Sequence, residues 1–336
     1  MKNKPNMVVI LGPTASGKTR LAVRLAKERG GEIISADSRQ VYRGMDLGTG
    51  KDLLDYTIDG VAIPFHLVDI VEPTEEFHLF AYQRLFHRCF EDITARGALP
   101  VLVGGSGMYL EAVIRSYDLQ EVPENKDLRR ELDNLDMDAL AGRLQAVQPD
   151  LHNKTDLLDR GRLVRAIEIA EAKRVKRGQP AEDGMSEIDP LSFSPGPHAS
   201  GPGPHASGPG HLSSILRPLV IGVRWERAIL RRRITDRLYE RLQSGMVEEV
   251  AALHQSGVSW ERLYHFGLEY RYISLYLQGL MSFDDMAKTL NTRIHQFAKR
   301  QDTWFRRMER LGVVIHWIPG DDYAALRSLV EDRLTG

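Results

Sequence analysis

An α/β fold, a parallel sheet core broken by a mainly helical insertion, is what this 336-residue sequence predicts. Three observations carry the prediction. Short apolar runs at Met7–Leu11, Glu32–Ala36, Leu99–Val103 and Leu219–Val223 have the length and β-branched content of strands buried on both faces. Helix-periodic stretches stand between them, and strands alternating with helices imply right-handed crossovers and a parallel sheet. From about Glu121 to Arg177 the chain turns charged and helix-periodic with no clear strand, which marks the insertion.

The elements follow in order. Met7–Leu11 is stopped by Gly12 and Pro13, and from Lys18 the run KTRLAVRLAKERG sets Leu21, Ala22, Leu25 and Ala26 on one helical face before Gly30-Gly31 ends it. Glu32–Ala36 leads into Asp37, and a helix over Phe80–Arg96 precedes Leu99–Val103, which runs into Gly104-Gly105. After the insertion GPHASGP occurs twice, at Gly196–Pro202 and Gly203–Pro209. Such glycine and proline density cannot support a packed core and reads as a flexible linker, with His198 and His205 metal candidates on composition alone. Leu219–Val223 returns to the sheet, and the remainder to about Arg310 is helical and arginine-rich. The expected segments are therefore 1–115 (first part of the core), 116–193 (insertion), 194–214 (linker) and 215–336 (core completion with basic helices).

Composition narrows the classes. With 42% apolar and 27% charged residues the chain can bury a core, which excludes global disorder and a fibrous repeat. Its 45 basic and 46 acidic side chains leave no global field for polyanions, so any nucleic-acid contact must use local patches. One cysteine, Cys89, excludes a disulfide framework and a multi-thiolate zinc site and fits a reducing cytosol. No signal peptide and no run of ~18 apolar residues is present, so the expectation is a cytoplasmic protein without a membrane span.

Gly12, Pro13, Thr14, Ala15, Ser16, Gly17, Lys18 and Thr19 form a full phosphate-loop pattern between a predicted strand and a predicted helix, so the core reads as P-loop NTPase-like. Its backbone N–H groups and the helix dipole suit a phosphate group, Lys18 its terminal oxygens, and the Thr19 hydroxyl a Mg²⁺ ion. A nucleoside triphosphate and a diphosphate ester both satisfy it. Asp37 opens onto the same crevice, either as a general base or outer magnesium ligand, or as a helix cap. Gly104-Gly105-Ser106-Gly107 is either a close approach for a ligand with one hydroxyl, or a turn. Eight arginines against three acids between Arg217 and Arg241 either clamp a pyrophosphate, follow a nucleic-acid backbone, or form a solvated face. Arg160, Arg162 and Arg165 in the insertion offer a backbone-binding surface.

GPTASGKT at 12–19, ISADSRQVYRGMDLGTGK at 34–51, FHLVDI at 65–70, LPVLVGGSGMYL at 99–110 and FAKRQDTWFRRME at 297–309 together resemble the tRNA dimethylallyltransferases. The resemblance implies transfer of a dimethylallyl group from dimethylallyl pyrophosphate, held by residues 12–19 in place of ATP, to N6 of the adenosine beside the anticodon (A37) in tRNAs reading codons that start with U. It implies Asp37 as the base at that amine and Lys18, Ser106 and Arg233 as further catalytic groups. It puts tRNA contacts at Asp37, Ser38, Arg39, Gln40, Ser106, Arg129, Arg162 and Arg165, with Gly161 where the family has glutamine. Gly267-Leu268-Glu269-Tyr270-Arg271 replaces the usual glycine-tyrosine-arginine-glutamine. A zinc finger, found in eukaryotic relatives, is excluded by the single cysteine, which favours the bacterial type. A small-molecule or nucleotide kinase using ATP is the rival enzyme, and a non-catalytic RNA-binding protein the rival from another class. Deleting Pro195–Gly210 is expected to leave activity within a few-fold, checked by turnover of the shortened chain; loss of folding would refute the linker.

Overall fold

The computed structural model describes residues 4–117, 119, 122–147, 160–177 and 216–334. The chain forms two compact units, one of Met1–Tyr117 with Phe193–Gly336, the other of Asp118–Ser192. The expected linker at 194–214, with His198 and His205, lies outside the described residues.

The larger unit starts with β1 (Met7–Leu11), α1 (Lys18–Arg29) and β2 (Gly31–Ala36). A 3-10 turn at Leu53–Tyr56, the small hairpin β3 (Thr57–Ile58) and β4 (Val61–Ala62), and β5 (Phe65–His66) precede α2 (Leu79–Ala95), β6 (Leu99–Gly104) and α3 (Gly107–Ile114). The six-stranded sheet has the order β5-β2-β6-β1, continued by β7 (Pro218–Arg224) and β8 (Ile315–Pro319), and every pairing in it is parallel. Val8 and Ile10 of β1 point into one apolar layer with Leu21, Leu25, Leu326 and Val330, while Met7, Val9 and Leu11 point into the other with Phe86, Phe90 and Phe305. Side chains alternate across a strand, so a strand covered on both faces must be apolar throughout.

Beyond β7 come α7 (Arg227–Gln243), α8 (Met246–Gln255), α9 (Trp260–His265), α10 (Leu268–Leu277) and the long α11 (Phe283–Arg310), then β8 and a last helix (Tyr323–Leu334). These helices enclose a third core that takes in Val41, Tyr42 and Met45 from the segment after β2. The two outer strands, β5 and β8, were not expected. β5 has only two residues, and the IHWIP of β8 mixes apolar and polar positions because an edge strand is not covered like a central one.

The smaller unit holds helices over Lys126–Leu132, Met137–Val147 and Arg160–Arg177, packed through Leu128, Leu132, Leu140, Leu144, Leu163 and Ile167. Its buried Glu168 accepts from Arg129 Nε at 2.8 Å and Arg165 Nη1 at 3.0 Å. Arg160 donates to the carbonyls of Leu132 (2.8 Å) and Leu135 (2.6 Å), closing the end of the first helix. Among the described residues no helix is long and apolar enough to cross a membrane.

Chain order moves from β1 to β2 on one side and later to β7 on the other, so β1 lies at the switch point where α/β sheets open a crevice at their carboxyl ends. The β2–β6 spacing behind that crevice is tight. A side chain at Gly104 would overlap the Ala36 carbonyl. Gly104→Ala is expected to destabilise the fold by ~1–3 kcal/mol through overpacking, read as a lowered urea midpoint.

Candidate active site

Between β1 and α1 the loop turns on Ala15 (φ 61°) and Gly17 (φ 83°), both left-handed. Alternation of right- and left-handed residues directs successive N–H groups into one concavity, an anion nest. The Ser16 hydroxyl is buried there with no hydrogen-bond partner. The loop's shape is held from outside. Trp225 Nε1 donates to Ser16 O at 2.8 Å, and Arg233 Nε donates to Ala15 O at 2.9 Å with its guanidinium 4.5 Å over the Trp225 ring. Gln301 of α11 accepts from Thr14 N at 2.9 Å and donates to Gly105 O at 2.8 Å, tying the loop to the turn after β6.

Asp37 and Ser106 meet across that turn. Ser38 N donates to Ser106 Oγ at 3.1 Å, and Ser106 N donates to Ala36 O at 3.3 Å. Asp37 Oδ1 accepts from Arg39 N at 2.9 Å, and no helix begins at this point, so the carboxylate is no helix cap. Gly105 lies against both Gln301 and Lys18: a side chain there would sit 2.5 Å from Gln301 Nε2 and 3.5 Å from Lys18 Nζ. Hence Gly105 is a point of close approach between the turn after β6 and the phosphate loop.

Charge fills the far wall. Arg237, one turn beyond Arg233 on α7, donates to Thr14 Oγ1, and Arg241 Nη2 pairs with Asp52 at 2.8 Å. Arg231 and Arg232 are exposed, so of the three adjacent arginines only Arg233 reaches the loop. Burial, then the nearby Arg237, lowers Lys18 to a pKa of about 8. Burial and Arg241 bring Arg237 down to about 10. Burial raises the Asp37 carboxyl, opposed by its hydrogen bond from Arg39 and by the Lys18 charge. Burial likewise raises Glu269, which faces Arg237 and Arg241. A cationic wall that is desolvated before any ligand arrives is built for an anion of high charge.

A magnesium ion fits modestly. The Thr19 hydroxyl lies in the first turn of α1, and among the described residues no cluster of three or more His, Cys, Asp or Glu forms a ready cage. Magnesium commonly takes one or two protein oxygens and completes its shell with phosphate and water.

The segment carrying Asp37 is locked down. Buried Lys51 donates to Tyr42 O at 2.6 Å and pairs with Asp46 at 2.7 Å and with Asp69. Gln40, expected at tRNA, bonds internally: its Nε2 donates to Gly50 O at 3.0 Å and its Oε1 accepts from Ser35 Oγ at 3.1 Å. In the smaller unit Arg129 and Arg165 are engaged by Glu168, and Arg165 also donates to Val122 O at 2.7 Å, while Arg162 is exposed.

Comparison with known families decides what this constellation is. The family model described as IPP transferase matches residues 40–308, and one described as isopentenyl transferase matches residues 5–58. The chain belongs to the IPP transferase family. It is an enzyme of prenyl transfer. Among curated IPP transferase relatives, tRNA dimethylallyltransferase 1 of Syntrophus aciditrophicus is 54% identical over 98% of each chain. The protein of the same name from Geotalea uraniireducens is 53% identical over 94% of this chain and 93% of its own. The full-length tRNA isopentenylpyrophosphate transferase of Bacillus halodurans is a solved structure with 28% identity and a TM-score of 0.64, covering 99% of this chain and 97% of its own. A eukaryotic dimethylallyltransferase acting on tRNA, 21% identical with a TM-score of 0.70 over 98% of this chain and 78% of its own, shares the fold.

Within this IPP transferase, Gln301, Arg237, Trp225 and the Arg241–Asp52 pair were not expected at the site. The Arg233/Arg237 spacing of four residues signals one shared helix face. Gln301 lies in the FAKRQDTWFRRME motif, but its role was not legible there, because its partners are 196 and 287 residues away. Gln301→Ala leaves Gly105 O and Thr14 N–H unpaired, and is expected to lower stability by about 1–3 kcal/mol, seen in chemical denaturation, with a raised KM for the diphosphate.

Proposed function

We propose that this enzyme transfers the dimethylallyl group of dimethylallyl pyrophosphate to N6 of the adenosine 3′-adjacent to the anticodon, A37, in cytoplasmic tRNAs reading codons that begin with U. The observation that carries the reading is the facing of an anion nest and a base carboxylate, Asp37, across the Ser106 turn.

The chemistry follows from the groups. As the allylic C–O bond breaks, its electron pair stays on the diphosphate, and the charge spreads over oxygens that the loop N–H groups, Lys18, Arg233 and Arg237 can stabilise. Magnesium on the Thr19 hydroxyl would add charge neutralisation at the same oxygens. The N6 lone pair forms the new C–N bond, but it is delocalised into the purine ring and nucleophilic only as a proton leaves. Asp37 takes that proton, a contribution of ~10²–10⁴-fold. Burial raises its pKa and with it the carboxylate's basicity, while the Arg39 N–H and the Lys18 charge favour the ionised form. Ser106 holds the Ser38 N–H and so keeps the Asp37 segment against the turn. The target base must leave its stack to reach this depth, which a single-stranded loop makes cheap. Arg39, Arg129, Arg162 and Arg165 supply candidate contacts to tRNA; Arg162 is exposed, and Glu168 engages Arg129 and Arg165.

Labelled dimethylallyl pyrophosphate incubated with unmodified tRNA is expected to leave label on RNA; phosphate transfer from ATP with no labelled RNA would support a kinase. Asp37→Asn is expected to lower kcat by ~10²-fold or more while tRNA affinity stays within a few-fold. The acid limb of kcat/KM should lie above the ordinary carboxylate range near ~3.9, because burial raises Asp37, with activity lost as pH falls through that pKa. An acid limb at or below the ordinary range would exclude Asp37 as the titrating base.

A further inference from the structure

A cavity of about 180 Å³ opens beside the active crevice and is used by none of the steps above. Arg39 joins the two: it lines the cavity, and its backbone N–H holds Asp37 Oδ1 at 2.9 Å. Phe77 and the buried Phe266 line it. Arg262 lies 4.8 Å over the Phe266 ring and is pinned there, donating through Nε to Pro73 O at 3.0 Å and through Nη2 to Glu75 O. A guanidinium held flat by two carbonyls is a stacking platform that needs no rearrangement to accept a planar ring.

The rim can read polar edges. Arg39 Nη2 donates to His265 O at 3.2 Å, which leaves other N–H groups of its fork to donate. His265 Nδ1 is 2.7 Å from Glu261 O, and a carbonyl only accepts, so Nδ1 carries the proton and the neutral ring's Nε2 is an acceptor. Two guanidinium groups against the single carboxylate of Glu76 favour a ligand attached to a negative backbone.

We propose that this cavity binds the nucleobase next to the target adenosine in the same RNA strand, stacked on Phe77 and the Arg262 platform and edged by Arg39 and His265. The proposal rests on the RNA-prenylating reading of the site. A neighbouring base anchored there would hold the strand while the target base is swung into the Asp37 crevice, so the cavity acts on RNA affinity and leaves the chemical step alone.

The test uses three fluorescent RNA hairpins carrying the target adenosine: one intact, one abasic on its 5′ side and one abasic on its 3′ side. Affinity for the full-length enzyme is measured by anisotropy at fixed salt, and prenylation with labelled dimethylallyl pyrophosphate is measured separately. One abasic hairpin is expected to bind the wild type about tenfold or more weakly, the scale of one base–aromatic stack. Phe77→Leu, which keeps apolar volume and removes the ring face, and His265→Ala, an exposed residue, should each weaken the intact hairpin. On that abasic hairpin all three proteins should bind alike. Equal losses on intact and abasic hairpins, or abasic hairpins that bind the wild type as well as the intact one, would overturn the proposal. Hairpins that show the expected binding pattern but gain no label would sink the prenyl-transfer reading and leave the cavity assignment standing, whereas an intact hairpin that fails to bind would sink both.

Discussion

One carboxamide holds the catalytic crevice in register. Gln301 reaches from α11 to accept from Thr14 N and donate to Gly105 O, so the phosphate loop after β1 and the turn after β6 keep a fixed distance. The two backbones come that close because residue 105 lacks a side chain: a Cβ there would sit 3.1 Å from Gly12 O. With this spacing Ser106 takes the Ser38 N–H, and Asp37 lies close enough to Lys18 to feel its charge.

The site is electrostatically unfinished by design of its surroundings. Burial and the Arg237 charge press Lys18 down to about 8, and burial and the Arg241 charge press Arg237 down to about 10, while Asp52 offsets only part of the charge. Gathering cations in a desolvated place costs free energy that an arriving diphosphate relieves, and relieves further as charge develops on its oxygens in the transition state. The segment after β2 is then made rigid by buried ion pairs and by Glu249, whose carboxylate accepts from the N–H groups of Asp46 and Gly48 and from the Tyr270 hydroxyl. Such rigidity keeps the base in one place while the substrate amine loses its proton.

The smaller unit follows another logic. Glu168 is buried and spends its oxygens on Arg129 and Arg165, so two arginines that the resemblance puts at tRNA build the local core. Removing one partner of such a pair leaves a buried charge without compensation.

Four strands and the loop-to-helix turn of residues 12–19 were legible in the residues because each depends on local patterning: continuous β-branched runs, glycine spacing, a hydroxyl after a lysine. The short edge strands β5 and β8 escaped notice, since two residues or a mixed polar run carry no period. Gln40 and Gln301 look equally polar in sequence, yet one is consumed inside its own loop and the other joins segments 196 residues apart. By itself the sequence determined the strand–loop–helix grip on an anion and the alternation that makes the sheet parallel. Only the tertiary structure decided which arginines of α7 reach the loop and which glutamine stitches it, because those outcomes depend on burial and on partners that chain order does not bring together.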